Sequence, residues 1–314
     1  MPAVTATAPG KIILFGEHAV VYGQPALAVP VQQVQARAVI SAAPDLEPGE
    51  VLLTAPEVNL QTPWSQLPPE HPLVVAIRLT LTALGMARPP ALRIRITSTI
   101  PVAAGLGSGA AVSVALVRAL SRFLGHPLDN AQVNAIAFEV EKIHHGTPSG
   151  IDNTVVTYAM PVYFVRGRPV ETFRVKEPFT LVIGDTDVPS PTAKTVAEVR
   201  RRWQQDPATY EALFAAIGRM VNRARRLIQE GQPAALGPLM DENHALLRRM
   251  GVSSPKLDAL VAAAKAAGAL GAKLSGGGRG GNMIALAPDE ASAQRIAHAL
   301  RTAGAVRTLV TTVR

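Results

Sequence analysis

The chain has 314 residues and 33.0 kDa, with 48% hydrophobic residues, 4% aromatics, a net charge of +8 and no cysteine. That length and apolar content support two packed domains. The missing cysteine excludes disulfides, thiolate catalysis and Cys-ligated zinc, leaving oxygen and histidine donors that suit a hard cation such as magnesium. The positive balance admits a polyanionic partner. Yet the basic residues are scattered, and clusters such as Arg200, Arg201, Arg202 and Arg223, Arg225, Arg226 lack interleaved aromatics. Solvated helix faces or steering of an anionic substrate account for them, and no nucleic-acid partner is expected. No stretch reaches the roughly 18 uninterrupted apolar residues of a membrane span. The start, Met1-Pro2-Ala3-Val4-Thr5, lacks a basic region followed by an apolar core. A cytoplasmic chain without membrane contact is expected.

Residues 3 to 40 run in short apolar segments, Ile12 to Phe15 and Ala26 to Val29, broken by Gly16, Gly23 and Pro25, which predicts strands and turns. From Ala43 to Pro72 seven prolines accumulate with acidic residues, predicting a long surface excursion such as a lid. A helix follows over 73–84, then a half-buried strand over 92–97, where Leu92, Ile94 and Ile96 alternate with Arg93 and Arg95. After the glycine loop, Val112, Ala115, Leu116, Ala119, Leu120 and Phe123 recur at helical spacing. A further helix over 129–143 opens at Asp129 as N-cap.

A composition change near Pro169 to Pro178 places a boundary between domains 1–172 and 173–314. The second half predicts a strand over 179–183 and helices over 192–205, 208–230 and 234–250. Another helix is capped by Ser254 with Pro255 at its first position. A strand over 283–286, a helix over 289–303 and a last strand over 308–310 complete an α+β order.

The chemistry concentrates in Glu141 to Asp152, which holds two carboxylates and a Pro148-Ser149-Gly150 turn. Asp152 is expected at a loop-to-strand junction before Val155-Val156-Thr157-Tyr158, able to accept a hydroxyl proton, and Glu141 near a helix end, able to ligate magnesium. Taken alone, Asp152 also reads as a turn cap and Glu141 as a solvated helix residue. Two glycine-rich loops, Gly105 to Gly109 and Gly276 to Gly281, can bring backbone N–H groups to phosphate.

The first loop also fits G-x-G-x-x-A, but the segment after its helix is helical rather than a second strand, so a dinucleotide fold loses support. A helix N-terminus facing triphosphate fits the same residues, as does a plain tight turn. There is no G-x-x-x-x-G-K-[ST] sequence. Lys11 stands before the buried-looking run Ile12 to Phe15, where a charge needs a partner, and Asp152 would satisfy it. His18 reads equally as a turn histidine, and His144 and His145, without a third ligand at convincing spacing, as packing or pocket residues rather than a zinc site.

Pro9-Gly10-Lys11 to Gly23, Pro101 to Ala111 and Lys273 to Gly281 together resemble the three ordered motifs of the GHMP small-molecule kinases, over nearly the whole chain. Gly16 to Gly23, His145 to Asn153 and Asp187-Val188-Pro189 leading to Thr192 are similar to the branch that phosphorylates mevalonate. The resemblance implies an N-terminal ribosomal S5 domain 2-like domain and a ferredoxin-like C-terminal domain, with ATP as co-substrate, Mg2+ and mevalonate as acceptor. A homodimer is an admitted assembly. It implies Asp152 as base and Lys11 as the group that keeps it ionised.

In the same terms, Pro101 and the run Ala104-Gly105-Leu106-Gly107-Ser108-Gly109-Ala110 would hold the nucleotide, with Glu141 and Ser108 on the metal. Lys11, Glu17, His18, His145, Asp152, Thr192 and Gly277 would hold the acceptor. Homoserine, a sugar or phosphomevalonate as acceptor, and a silent ligand sensor on this fold, are the competing readings. Two departures stand out. Gly109 replaces a second phosphate-loop serine, so Ser108 or water would serve the metal; Arg279 stands where a small residue is common, either touching phosphate or facing solvent.

Overall fold

The computed structural model describes residues 2–101, 105–145, 148–169, 171–190 and 192–314, with the backbone alone at 144 and 145. The first half runs β1 (Val4–Phe15), β2 (Ala26–Ala42), β3 (Val51–Ala55), β4 (Leu60–Pro63), α1 (Pro72–Ala83), β5 (Leu92–Ser98), α2 (Ser108–Phe123), α3 (Asn130–His145) and α4 (Ile151–Tyr158). The second runs β6 (Val162–Phe164), β7 (Glu171–Thr172), β8 (Phe179–Asp185), α5 (Thr192–Gln205), α6 (Pro207–Glu230), α7 (Leu236–Met250), α8 (Pro255–Ala266), β9 (Gly271–Ser275), β10 (Asn282–Ala287), α9 (Glu290–Thr302) and β11 (Arg307–Val313).

Two compact units emerge, and both are discontinuous in sequence. The first comprises 1–10, 32–101 and 107–159; the second comprises 11–31, 102–106 and 160–314. The long strands β1 and β2 each contribute to both. In the first unit the strand order is β4-β3-β5-β2, with β2 antiparallel to β5 from Ala36↔Ser98 to Ala42↔Leu92 and β3 parallel to β5. On β5 the alternation holds: Leu92, Ile94 and Ile96 are buried, Arg93 and Arg95 exposed. Each such apolar side chain contributes about 1.5–3 kcal/mol of burial.

The expected excursion over 43–72 is corrected. Its residues build β3 and β4, with Val51, Leu53 and Ala55 buried, and Pro63 sits in the short edge strand β4, where a missing donor is tolerated. The expected strand after Asp152 is a helix. Gly150 enters it in the left-handed region (φ 91), and Val155, Val156 and Thr157, strand formers by propensity, pack as a buried helix against α2 and α3. The N-terminus of α3 is a reciprocal cap, with Gln132 N–H donating to Asp129 Oδ1 (2.8 Å) and Asp129 N–H to Gln132 Oε1 (3.1 Å).

In the second unit the Ala26–Ala28 part of β2 pairs with β6, and β6 with β7. A separate four-stranded antiparallel sheet has the order β11-β8-β10-β9. Numbered from its own first strand, that order is 4-1-3-2, the ferredoxin-like arrangement. Ser254 caps α8, accepting from Leu257 N–H at 3.3 Å with Pro255 at the first position, as expected. Strand β9 is missing from the sequence reading, because a lysine inside Gly271-Ala272-Lys273-Leu274-Ser275 breaks its apolar run.

Candidate active site

In the first unit, Gly107 caps α2 in the left-handed conformation (φ 74), so the helix opens directly at Ser108 with no acidic residue in its first turn. Its free N–H groups and positive dipole end suit an anion. Gly105 also has a positive φ of 74° and Lys11 N–H donates to Leu106 O at 3.0 Å, both within the second unit. Ala104 lies outside the described residues, as does the side chain of His145; Pro101, Gly109 and Ala110 are described.

Glu141, on α3, is 3% exposed, which removes the solvated-helix reading and leaves a buried carboxylate. Asp152 stands in the first turn of α4. That turn is tied down: Thr154 Oγ1 donates to Gly150 O at 2.7 Å, and Asn153 Nδ2 donates to Asn134 Oδ1 on α3 at 2.7 Å. Arg118 of α2 donates to Thr157 O and to Asn130 Oδ1. The proposed base is therefore carried by a braced helix, not by a loop.

In the second unit, the segment Glu17-His18 meets the second glycine loop. Glu17 and Lys273 form a fully buried ion pair, and the Lys273 ammonium also donates to Leu274 O at 2.7 Å and lies 5.8 Å from the Phe15 ring centroid. Burial pushes the Glu17 carboxyl up and the Lys273 ammonium down, and each partner opposes the other's shift. His18, 5% exposed, has a positive φ of 60° and donates from Nε2 to Gly277 O at 3.1 Å. Its Nδ1 is then an acceptor, buried and without a hydrogen-bond partner among the described residues.

Thr192 opens α5, with Oγ1 3.4 Å from Ser190 Oγ. A Cβ on Gly277 would come within 2.5 Å of Thr192 Oγ1 and 2.8 Å of Ser190 Oγ, so glycine alone fits beside these hydroxyls. Sequence reasoning missed Ser190, Lys273 and Glu198. A lone lysine in a buried-looking run was a usable signal for Lys273, by the same logic applied to Lys11. Arg279 neither reaches solvent freely nor waits for phosphate: Nη1 donates to Glu198 at 2.6 Å, and Nη2 to Gly251 O at 3.2 Å.

Burial, followed by the nearby Arg279 charge, lowers the His18 pKa from 6.5 to about 4, opposed by the bond to Gly277. A base whose folded pKa is depressed binds its proton more readily unfolded, so its contribution is complete above pH 6.5 and is lost as pH falls toward 4. The span corresponds to about 3 kcal/mol. Urea midpoints taken from pH 8 to pH 4 should show this loss, and His18→Gln should remove that part of the slope.

Residues 72–160 match the family model for the GHMP kinases N terminal domain, and residues 224–306 that for the GHMP kinases C terminal. The chain belongs to the GHMP kinases. It is 36% identical to a mevalonate kinase of Pyrococcus horikoshii over 96% of this chain and 93% of that protein, and 33% identical to one of Saccharolobus solfataricus over 92% and 91%. Among solved structures it is similar to L. major mevalonate kinase in complex with R-mevalonate, with a TM-score of 0.84 and 32% identity over 99% of this chain and 95% of that one. The Methanococcus jannaschii mevalonate kinase gives a TM-score of 0.86 at 25% identity, covering 100% and 99%.

Proposed function

We infer that the chain transfers the γ-phosphoryl group of ATP to the C5 hydroxyl of mevalonate, giving 5-phosphomevalonate and ADP. The observation that carries this reading is the similarity to mevalonate kinases across nearly the full length of both partners, including one solved with R-mevalonate. Asp152 takes the hydroxyl proton and Lys11, 3% exposed, offsets developing charge, the roles that the family resemblance gives them. The N–H groups at the start of α2, with Gly105 to Ala110 around them, hold the phosphates.

A magnesium ion fits the residues present. Glu141 and Ser108 are oxygen donors on α3 and α2, which pack together within one unit. No cluster of three or more His, Cys, Asp or Glu groups able to hold a metal occurs among the described residues. Such an ion takes most of its ligands from phosphate and water, as magnesium does. Bound there, it would neutralise charge on the β- and γ-phosphates. Glu17, His18, His145, Thr192 and Gly277 serve the acceptor: His18 Nδ1 accepts from a hydroxyl, and the absence of a Cβ at Gly277 leaves the Ser190 and Thr192 hydroxyls close to the loop.

An acceptor panel tests the assignment. Purified protein with MgATP should show its highest kcat/KM on mevalonate, with homoserine, galactose and phosphomevalonate at least about 100-fold lower, a margin of roughly 2.7 kcal/mol in transition-state stabilisation. Preference for any of the other three acceptors overturns it.

A further inference from the structure

The loop over 276–281 is gripped from two sides. On one side Thr186 N–H and Oγ1 both donate to Gly281 O (2.9 and 2.8 Å), Gly281 N–H donates to Val188 O (2.8 Å), and Ser190 Oγ donates to Gly278 O (3.0 Å). On the other, Arg279 N–H donates to Val252 O at 2.9 Å, and Gly278 lies so close that a Cβ there would sit 2.0 Å from the same carbonyl. Arg279 itself is left-handed (φ 59), a conformation that costs a long side chain on the order of 1 kcal/mol or more and persists only where surrounding structure imposes it.

Its guanidinium turns that strained backbone into a clamp. Nη1 holds Glu198 Oε2 at 2.6 Å, Nη2 and Nε reach Gly251 O at 3.2 and 3.4 Å, and the other Glu198 oxygen is held by Arg202. The hydrogen bond from Arg279, with that from Arg202, pulls the Glu198 carboxyl down to about 2. Glu198 lies in the middle of α5, six residues after Thr192, so the clamp ties that helix to the glycine loop and to the end of α7. Every member belongs to the second unit.

We propose that Arg279 is a positioning residue for the acceptor: by joining Glu198 and the Gly251 carbonyl to the loop, it fixes Ser190 and Thr192 against Gly277, whose carbonyl orients His18. The planar fork suits two acceptors at once, which a lysine ammonium on a flexible stem does not reproduce. The clamp's hydrogen bonds run to Glu198, Gly251 and Val252. Its loss should therefore loosen the acceptor pocket and leave nucleotide affinity alone.

The proposal rests on the acceptor reading above, and the test separates the two. Steady-state kinetics are measured on the full chain and on Arg279→Ala, Glu198→Ala and the double variant, using whichever panel acceptor the unaltered protein turns over fastest. The expected result is a rise of about tenfold in acceptor KM in each single variant, no further rise in the double, kcat within about threefold and ATP KM unchanged. An acceptor KM within twofold of the unaltered value, an equal rise in ATP KM, or additive effects in the double would overturn the clamp. If the fastest acceptor is not mevalonate, the substrate assignment fails while the clamp is still decided. Arg279→Gly removes the side chain at a backbone conformation glycine accepts freely, and replaces the alanine variant if that one does not fold.

Discussion

Asp152→Asn should lower kcat by roughly two to four orders of magnitude, the range a positioned general base contributes, while the ATP dissociation constant moves less than about threefold. The substitution is nearly isosteric and the first turn of α4 has its own supports, the Thr154 to Gly150 bond and the Asn153 to Asn134 bond. The helix should therefore stay in place. Single-turnover measurements, paired with a nucleotide-binding titration, read the two effects separately. Near-normal phosphoryl transfer would rule out Asp152 as the base, and loss of ATP binding would mean that it supports the nucleotide rather than the acceptor hydroxyl.

The second large effect concerns folding. Lys273→Met leaves the Glu17 carboxylate buried without its cation, and removing one member of such a pair costs about 3–5 kcal/mol. Two neighbours keep Lys273 from acting alone, the Leu274 carbonyl and the Phe15 ring, but neither supplies a counter-charge to Glu17. Adding Glu17→Gln to Lys273→Met should recover a good part of the loss, because no uncompensated carboxylate then remains. Denaturant midpoints of the two singles and the double form the cycle. A single-variant loss below about 1 kcal/mol would show that the pair carries little of the stability assigned to it.

What could be read in advance followed from local signals. The capped starts of α3 and α8, the alternation along β5 and the glycine turn into α2 each depend on residues within a few positions of one another. The errors have a common cause. Val155, Val156 and Thr157 read as a strand because β-branched propensity is local, whereas their burial against α2 and α3 is not. The prolines of 43–72 correctly marked turns, yet β3 finds its partner in β5, some forty residues away.

The site divided in the same way. The motifs named Glu17, His18, Gly277 and Asp152, but Lys273 as the partner of Glu17 is 256 residues distant and no local pattern announces it. Arg279 stood out as a departure from the family pattern; its engagement of Glu198 and Gly251 is a tertiary fact.

That separation of 256 residues matters before the protein is finished. Glu17 leaves the ribosome early, and at about 5–20 residues per second its buried counter-ion follows roughly 13 to 50 s later. Until β9 emerges, the contacts of residues 17 and 18 with Lys273 and Gly277 cannot form, because the second unit joins residues 11–31 to residues 160–314. Through that interval the Glu17 carboxylate lacks the Lys273 ammonium that pairs with it in the folded chain. Glu17 and His18, proposed for the acceptor, thus meet Lys273 and Gly277 only after 256 and 259 further residues have been made.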